Sequence, residues 1–390
     1  MKYHVFVLVW GQPFAAAHLE MALPFLMMPG NLPALAAGAD VDFHIYTDRA
    51  TQPMLDAGSA CLDAHCRRRI HVLEDIRVRG ASPLAHAEGI AFPEYKYALQ
   101  RECVRHLYET VKDGGHGNVK ASVIFLDSNF ILADGSLAAL HQRRLQGFEA
   151  AAVSVLRLSE PKVQPMLLGR LGGDASVGPR ELVAIGLEAP HHFTAAFYID
   201  AERFTPYPSQ LIWPVGDDGL LTRAFLPHPL MVPLAPEIAR SQSTMDYDMA
   251  LRTTTDNRIY VAADSDEMLV AKLSGDDHQA ARQAGPPPSP ENLALFLLSC
   301  TNRRHRLFAD VPIYFHAGEA HADLAKVTAQ SELLLDASYD FIDVIAARSA
   351  GLDASALLYV KSFFGAIEDY MSPQLEPVAL EALRQLASAG

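Results

Sequence analysis

Apolar residues recur along the first part of the chain in two rhythms. Short β-rich runs, beginning with His4-Val5-Phe6-Val7-Leu8-Val9-Trp10, alternate with longer stretches of helical spacing, a pattern that predicts βαβ units around a mostly parallel sheet. After the opening run, Pro13 to Met28 is rich in Ala, Leu and Met and stops at the turn signal Pro29-Gly30-Asn31. A second strand is expected at Val41 to Tyr46, stopping at Thr47-Asp48, and an edge strand within Ile70 to Ile76. Between Lys96 and Lys112 the residues Tyr97, Cys103, Val104, Leu107, Tyr108 and Val111 are spaced to share one helical face. The glycine-rich segment Asp113 to Asn118 is suited to closing that helix.

The next apolar run, Ala121 to Leu126, leads straight into Asp127-Ser128-Asn129. Further strands are expected at Ala151 to Leu156, Thr194 to Ile199 and Ile259 to Ala263, and a short helix at Gly219 to Leu226, so that the sheet ends near residue 265. Gly285-Pro286-Pro287-Pro288 then forms a stiff break. Ser289 caps and Pro290 opens a new helix, and helical patterns dominate from there to Gly390. The expected organisation is a domain over residues 1–270 and a mainly helical region over 286–390.

Composition narrows the function. A formal charge of −14 on 390 residues argues against a nucleic-acid binder, because phosphate contacts need a clustered basic surface. The runs Arg67-Arg68-Arg69 and Arg303-Arg304 read as solvated surface. Four cysteines make no disulfide scaffold and fit a reducing compartment, so the cytoplasm is the expected location. Cys61 and Cys66 flank His65, but no second Cys/His pair stands nearby to complete a zinc site. The opening apolar run is too short for a signal peptide. No apolar stretch approaches the ~20 residues of a membrane span, so any membrane contact would be peripheral.

A carboxylate at the end of a buried parallel strand sits where open α/β sheets bind their ligands, and Asp127 is such a carboxylate. The segment Val123-Ile124-Phe125-Leu126-Asp127-Ser128-Asn129, continuing through Phe130-Ile131-Leu132 to Ala133-Asp134-Gly135-Ser136-Leu137, resembles the DxD region of GT-A glycosyltransferases. The resemblance implies a GT-A-like α/β fold, a mostly parallel sheet flanked by helices. It also implies transfer of a sugar from a nucleoside-diphosphate sugar to a hydroxyl of an acceptor, a bacterial-type glycan or glycoconjugate. In that family a divalent metal, manganese or magnesium, bridges the donor phosphates, and Asp127 and Asn129 would be its ligands here. Asn129 departs from the pattern, since an amide oxygen binds a hard cation more weakly than a carboxylate does.

Other residues follow the same resemblance. Trp10 and Gly11 after the first strand, and Asp48 after the second, look like the strand ends that hold the nucleoside. Lys96 stands where a cation could face the diphosphate. Val215-Gly216-Asp217-Asp218-Gly219-Leu220-Leu221 resembles the acidic motif that opens a helix and supplies the base of inverting members, although Asp217 or Asp218 could equally be helix caps. His191 and His192 are candidates for acceptor binding, His228 for acceptor or metal, and His316 in a late strand-like run for a metal ligand. Two further D-x-D spacings compete: Asp246-Tyr247-Asp248, read as a helix start, and Asp264-Ser265-Asp266, which follows a strand. A sugar-phosphate nucleotidyltransferase is the second reading, weakened by the single glycine in Gly11-Gln12-Pro13-Phe14. A non-catalytic sugar-binding module on the same fold is the third.

Overall fold

The opening run becomes β1 (Lys2–Leu8), buried along its whole length. It lies at the centre of a parallel set with β2 (Asp40–Thr47), β3 (Arg67–Val72) and β4 (Ala121–Asp127). The computed structural model describes residues 1–92, 94–112, 121–171, 176–241, 244–254, 258–276, 284–349, 352, 354–365 and 382–383. The expected helix closure at Asp113 to Asn118 lies outside them. Leu8 stands opposite both Tyr46 and Asp127, so three strands end level with one another.

The remaining strands are β5 (Phe130–Leu132), β6 (Ala150–Val153), β7 (Leu156–Ser159), β8 (Gln210–Val215), β9 (Gly219–Ala224), β10 (His228–Pro233), β11 (Ile259–Val261), β12 (Val270–Ser274) and β13 (Ile313–His316). The main sheet has seven strands in the order β11-β6-β10-β4-β1-β2-β3, and only β10 runs antiparallel to its neighbours. Two three-stranded sheets, β5-β12-β7 and β13-β9-β8, accompany it. The fold is therefore α/β, with a mainly parallel central sheet flanked by helices, and a mainly helical C-terminal part. That part holds helices Pro290–Cys300, Leu324–Ala347 and Ala354–Phe363.

The chain divides into two compact units, one of Met1–Ala189 with His228–Asp276, the other of Pro190–Pro227 with Asp277–Gly390. In the first, alternate residues of the strands serve two faces. Tyr3, Val5 and Val7 pack into a core with Leu32, Leu35, Leu137 and Leu140 from helices Leu32–Gly38 and Ser136–Leu145. Each such side chain contributes about 1.5–3 kcal/mol on burial. Gly30 fixes the approach of these elements: a Cβ there would lie 2.6 Å from the backbone nitrogen of Gly135, and its own N–H donates to Asp134 Oδ1 at 2.6 Å.

The opposite face carries Phe6 in contact with both Tyr46 and Phe125, together with polar groups. His4, His44 and His71 form a ladder across β1, β2 and β3, with ring nitrogens 3.2 and 3.0 Å apart. Tyr46 stacks on His71 with ring centroids 4.5 Å apart and shares a 2.9 Å hydrogen bond with His106 of the helix Glu94–Val111.

Several expectations are corrected. Gly219 to Leu226 is not a helix but contains β9, because β8 and β13 cover both its edges and bury every residue of Gly219–Ala224. A run buried on both faces carries no hydrophobic period that separates helix from strand. Thr194 to Ile199 is not a strand. His191 caps the short helix His192–Ala195, accepting from the Phe193 N–H at 3.1 Å, and only a single bridge from Tyr198 to Ile212 follows. The run Ala151 to Leu156 is split between β6 and β7. The edge strand ends at Val72 rather than at Ile76. Strand pairing continues past residue 265 in β12, which is not among the expected strands, while β13 lies in the late strand-like run. No helix among the described residues is long and apolar enough to cross a membrane.

Candidate functional site

The ends of β1, β2 and β4 in the first unit lie level with one another. Val9 extends β1 by donating its N–H to the Tyr46 carbonyl at 2.8 Å, and Gly11 then turns the chain at φ +82°, a conformation that favours glycine. The Gly11 N–H donates to Asp48 Oδ2 at 2.7 Å, and Asp48 also accepts from the Thr51 N–H at 2.9 Å and the Thr51 hydroxyl at 2.8 Å. Asp48 thus fastens the end of β2 to that of β1. Burial disfavours its charge, but these donors prevail and hold it below the usual carboxylate range. Trp10 is half-buried beside the exposed ring of Phe14, their centroids 6.3 Å apart.

Asp127 ends β4, and the side chain that meets it comes from β12. The Lys272 ammonium donates to Asp127 Oδ2 in a charge-assisted hydrogen bond. Lys272 stands between Phe130 on β5 and Arg157 on β7 in the small sheet, and its Nζ lies 5.4 Å from the centre of the Phe130 ring. Burial raises the Asp127 carboxyl, but Lys272, Lys96 and His228 together outweigh it and keep the group firmly ionised. Burial pulls the Lys272 ammonium down to about 8, with Lys96 and Arg157 adding to the fall and Asp127 opposing it. His228 donates from Nε2 to the Phe125 carbonyl at 2.9 Å and sets its ring edge-on to Phe130 at 4.8 Å.

The two residues after Asp127 are also held. His18 donates from Nδ1 to the Ser128 carbonyl at 2.8 Å. The Asn129 side-chain amide donates to the Leu273 carbonyl, and the Asn129 carbonyl accepts the Leu273 N–H at 3.0 Å. A hard divalent cation seeks several anionic oxygens. Here Asp127 is neutralised by an ammonium and Asn129 is a neutral amide tied to β12, so this pair as it stands fits such a cation poorly. Elsewhere in the unit, buried His4, Asp42 and His44 bring potential ligand atoms within 4.8 Å of one another, although Asp42 already lies 2.9 Å from Lys2 Nζ.

The competing acidic pairs have other occupations. Asp264 Oδ1 accepts the Asp266 N–H at 2.8 Å in a turn, and Asp266 pairs with Arg180 at 2.8 Å. Asp248 is buried in the helix Met245–Thr253 and pairs with Arg252.

In the second unit Asp217 and Asp218 occupy the turn of the β8-β9 hairpin, with Val215 opposite Gly219 and Gly216 at φ +63°. They open a strand, so helix capping is not their role. This turn adjoins the end of β13: His316 pairs with Gly219, and the Asp218 carbonyl accepts the Ala317 N–H at 2.8 Å. Asp217 is exposed and Asp218 partly buried. His316 is buried, stacked on Tyr314 at 4.7 Å, with Nδ1 donating to the Gly318 carbonyl at 2.6 Å. His191 and His192 lie ring to ring at 4.0 Å, His191 buried and His192 partly so.

The structure thus gathers Gly11 with Asp48, Asp127 with Lys96 and His228, and Asp218 with His316. Sequence reasoning missed Lys272, Arg157 and His18. A signal for Lys272 existed, since it is a lone charge within the apolar run Leu269-Val270-Ala271-Lys272-Leu273, and a lysine there needs a buried partner.

The sequence matches no family model and no curated protein. Among solved structures, mouse xyloside xylosyltransferase 1 in its apo form is similar over 46% of this chain, at 14% identity and a TM-score of 0.27. The match spans 63% of that protein's length. A likeness at this level carries no argument about activity.

Proposed function

We propose that this protein is a glycosyltransferase that moves a sugar from a nucleoside-diphosphate sugar to an acceptor hydroxyl on a glycan or glycoconjugate. One observation carries the reading: an ionised carboxylate, Asp127, ends a central parallel strand amid Lys272, Lys96 and His228. Crevices at such strand ends bind ligands in open α/β sheets. Cations fixed beforehand by the fold can meet the charge that grows on a departing nucleoside diphosphate.

In this reading the first unit, which holds most of residues 1–270, binds the donor, and residues 286–390 are a helical extension in the second unit. Trp10 and Gly11 flank the nucleoside, and the Asp48 carboxylate, which sets their position, accepts from ribose or base. Asp218 is the general base with Asp217 beside it, His316 lies next to them, and His191 and His192 contact the acceptor.

The test is product analysis over a panel of nucleotide sugars. Release of free nucleoside diphosphate, abolished by Asp127→Ala in a variant with an unchanged circular-dichroism spectrum, is the expected result. Wild-type turnover in that variant sinks the reading. Release of pyrophosphate instead would identify nucleotidyl transfer, and binding without any product a sugar-binding module.

A further inference from the structure

We infer that Lys272 and Lys96 bind the donor's diphosphate directly, in place of a divalent cation. The inference rests on the glycosyltransferase reading and deepens it. Its geometric basis is the contact between Asp127 and Lys272, which joins two segments 145 residues apart in the chain. An ammonium already sits on the carboxylate that would otherwise hold a metal.

The charge balance points the same way. One carboxylate, Asp127, feels both Lys272 and Lys96. Two cations on one anion leave a positive excess, and a diphosphate diester, carrying one negative charge per phosphorus, complements it. The ladder supplies rigidity, because β12 pairs on one edge with β5 and on the other with β7. Asp127 and the Phe130 ring steer the Lys272 head. A charged group so anchored needs little reorganisation when a phosphate arrives.

The experiment is calorimetric titration of the intact protein with inorganic pyrophosphate and with ADP, GDP, CDP and UDP, each in EDTA and again with manganese. The tightest nucleotide is expected to bind in EDTA with a Kd within about threefold of its value in manganese. Lys272→Gln should weaken it by about tenfold or more in both buffers, since a charge-assisted contact is worth at least that much, while Lys272→Arg retains most of the affinity. Lys96→Gln, at a half-buried helix position, gives a second charge deletion should Lys272→Gln fail to fold, and it too should weaken binding in EDTA. Nucleotide binding that appears only with manganese would overturn the inference and leave the glycosyltransferase reading standing. Absence of binding to every nucleotide in both buffers would remove the donor reading and the inference with it.

Discussion

Lys272 on β12 donates to the carboxylate of Asp127 at the end of β4, and this contact couples the central sheet to the small sheet that carries Arg157. Removing either partner leaves the other charge largely buried without its counter-ion, a change that costs more than the pair itself contributes. Lys272→Met and Asp127→Asn are each expected to lower the melting temperature. The double variant should lose less than the sum of the two, by about 1 kcal/mol or more. Strict additivity in denaturant titrations would mean that the two groups are not coupled.

The turn residues give a kinetic prediction. Asn accepts turn conformations as readily as Asp, so Asp218→Asn should fold normally. Loss of a general base lowers turnover by about two to four powers of ten, and the affinity for donor should stay unchanged. Measuring turnover, Kd and melting temperature for Asp217→Asn and Asp218→Asn separates the two; full activity in both would exclude a base in this turn.

The histidine ladder makes stability depend on pH. Burial and the neighbouring imidazoles hold His44 down to about 2, and burial with His106 holds His71 down to about 4, so both are neutral in the folded protein. A histidine lowered in the folded state is bound by more protons when unfolded. Its stabilising contribution is therefore complete above about pH 6.5 and shrinks as pH falls through the interval down to the folded values. His44 alone should cost roughly 2 kcal/mol by pH 5. Melting temperatures across this range should fall with acid, and His44→Leu, which has nothing to protonate there, should show a shallower slope. Equal slopes would rule out His44 as the source.

Arg223 tests the second unit. Its guanidinium is fully buried on β9 and donates to the carbonyls of Ala309 and Asp310 and to the Ser331 hydroxyl, at 3.2, 2.7 and 2.9 Å. Arg223→Met leaves those acceptors without their donor and should cost about 3 kcal/mol in urea unfolding. Glu332, 3.3 Å from Arg223 but with its own side chain 58% exposed, should matter little: Glu332→Ala is expected to cost under about 0.5 kcal/mol. A large loss from Glu332→Ala together with a small one from Arg223→Met would reverse this assignment.

Much of the first unit was legible because its strands and helices are punctuated by turns. Pro29-Gly30-Asn31, Thr47-Asp48 and Asp127-Ser128-Asn129 each fall where an element ends, and β1, β2 and β4 follow from the apolar runs before them. The site was legible only in part. Asp127 could be singled out from the strand that carries it, whereas Lys272 is brought to it by pairing of β12 with β5, a relation between distant segments that no local pattern encodes. The Asp217-Asp218 motif was located but its setting was misread, because β9 is buried on both faces. The late strand-like run was legible too, and β13 lies within it.

The helical run Gln12–Leu26 contains a π turn at His18–Ala22, closed by the Leu23 N–H on the His18 carbonyl. One residue more than an α-helix requires is accommodated there, and His18 is the residue that reaches Ser128. Restoring regular winding would turn one half of the helix against the other by about 100°. Deleting a single residue between Gln12 and His18 would therefore swing the imidazole away from the Ser128 carbonyl while lying outside every strand. Insertions or deletions in this segment should be tolerated far less than substitutions.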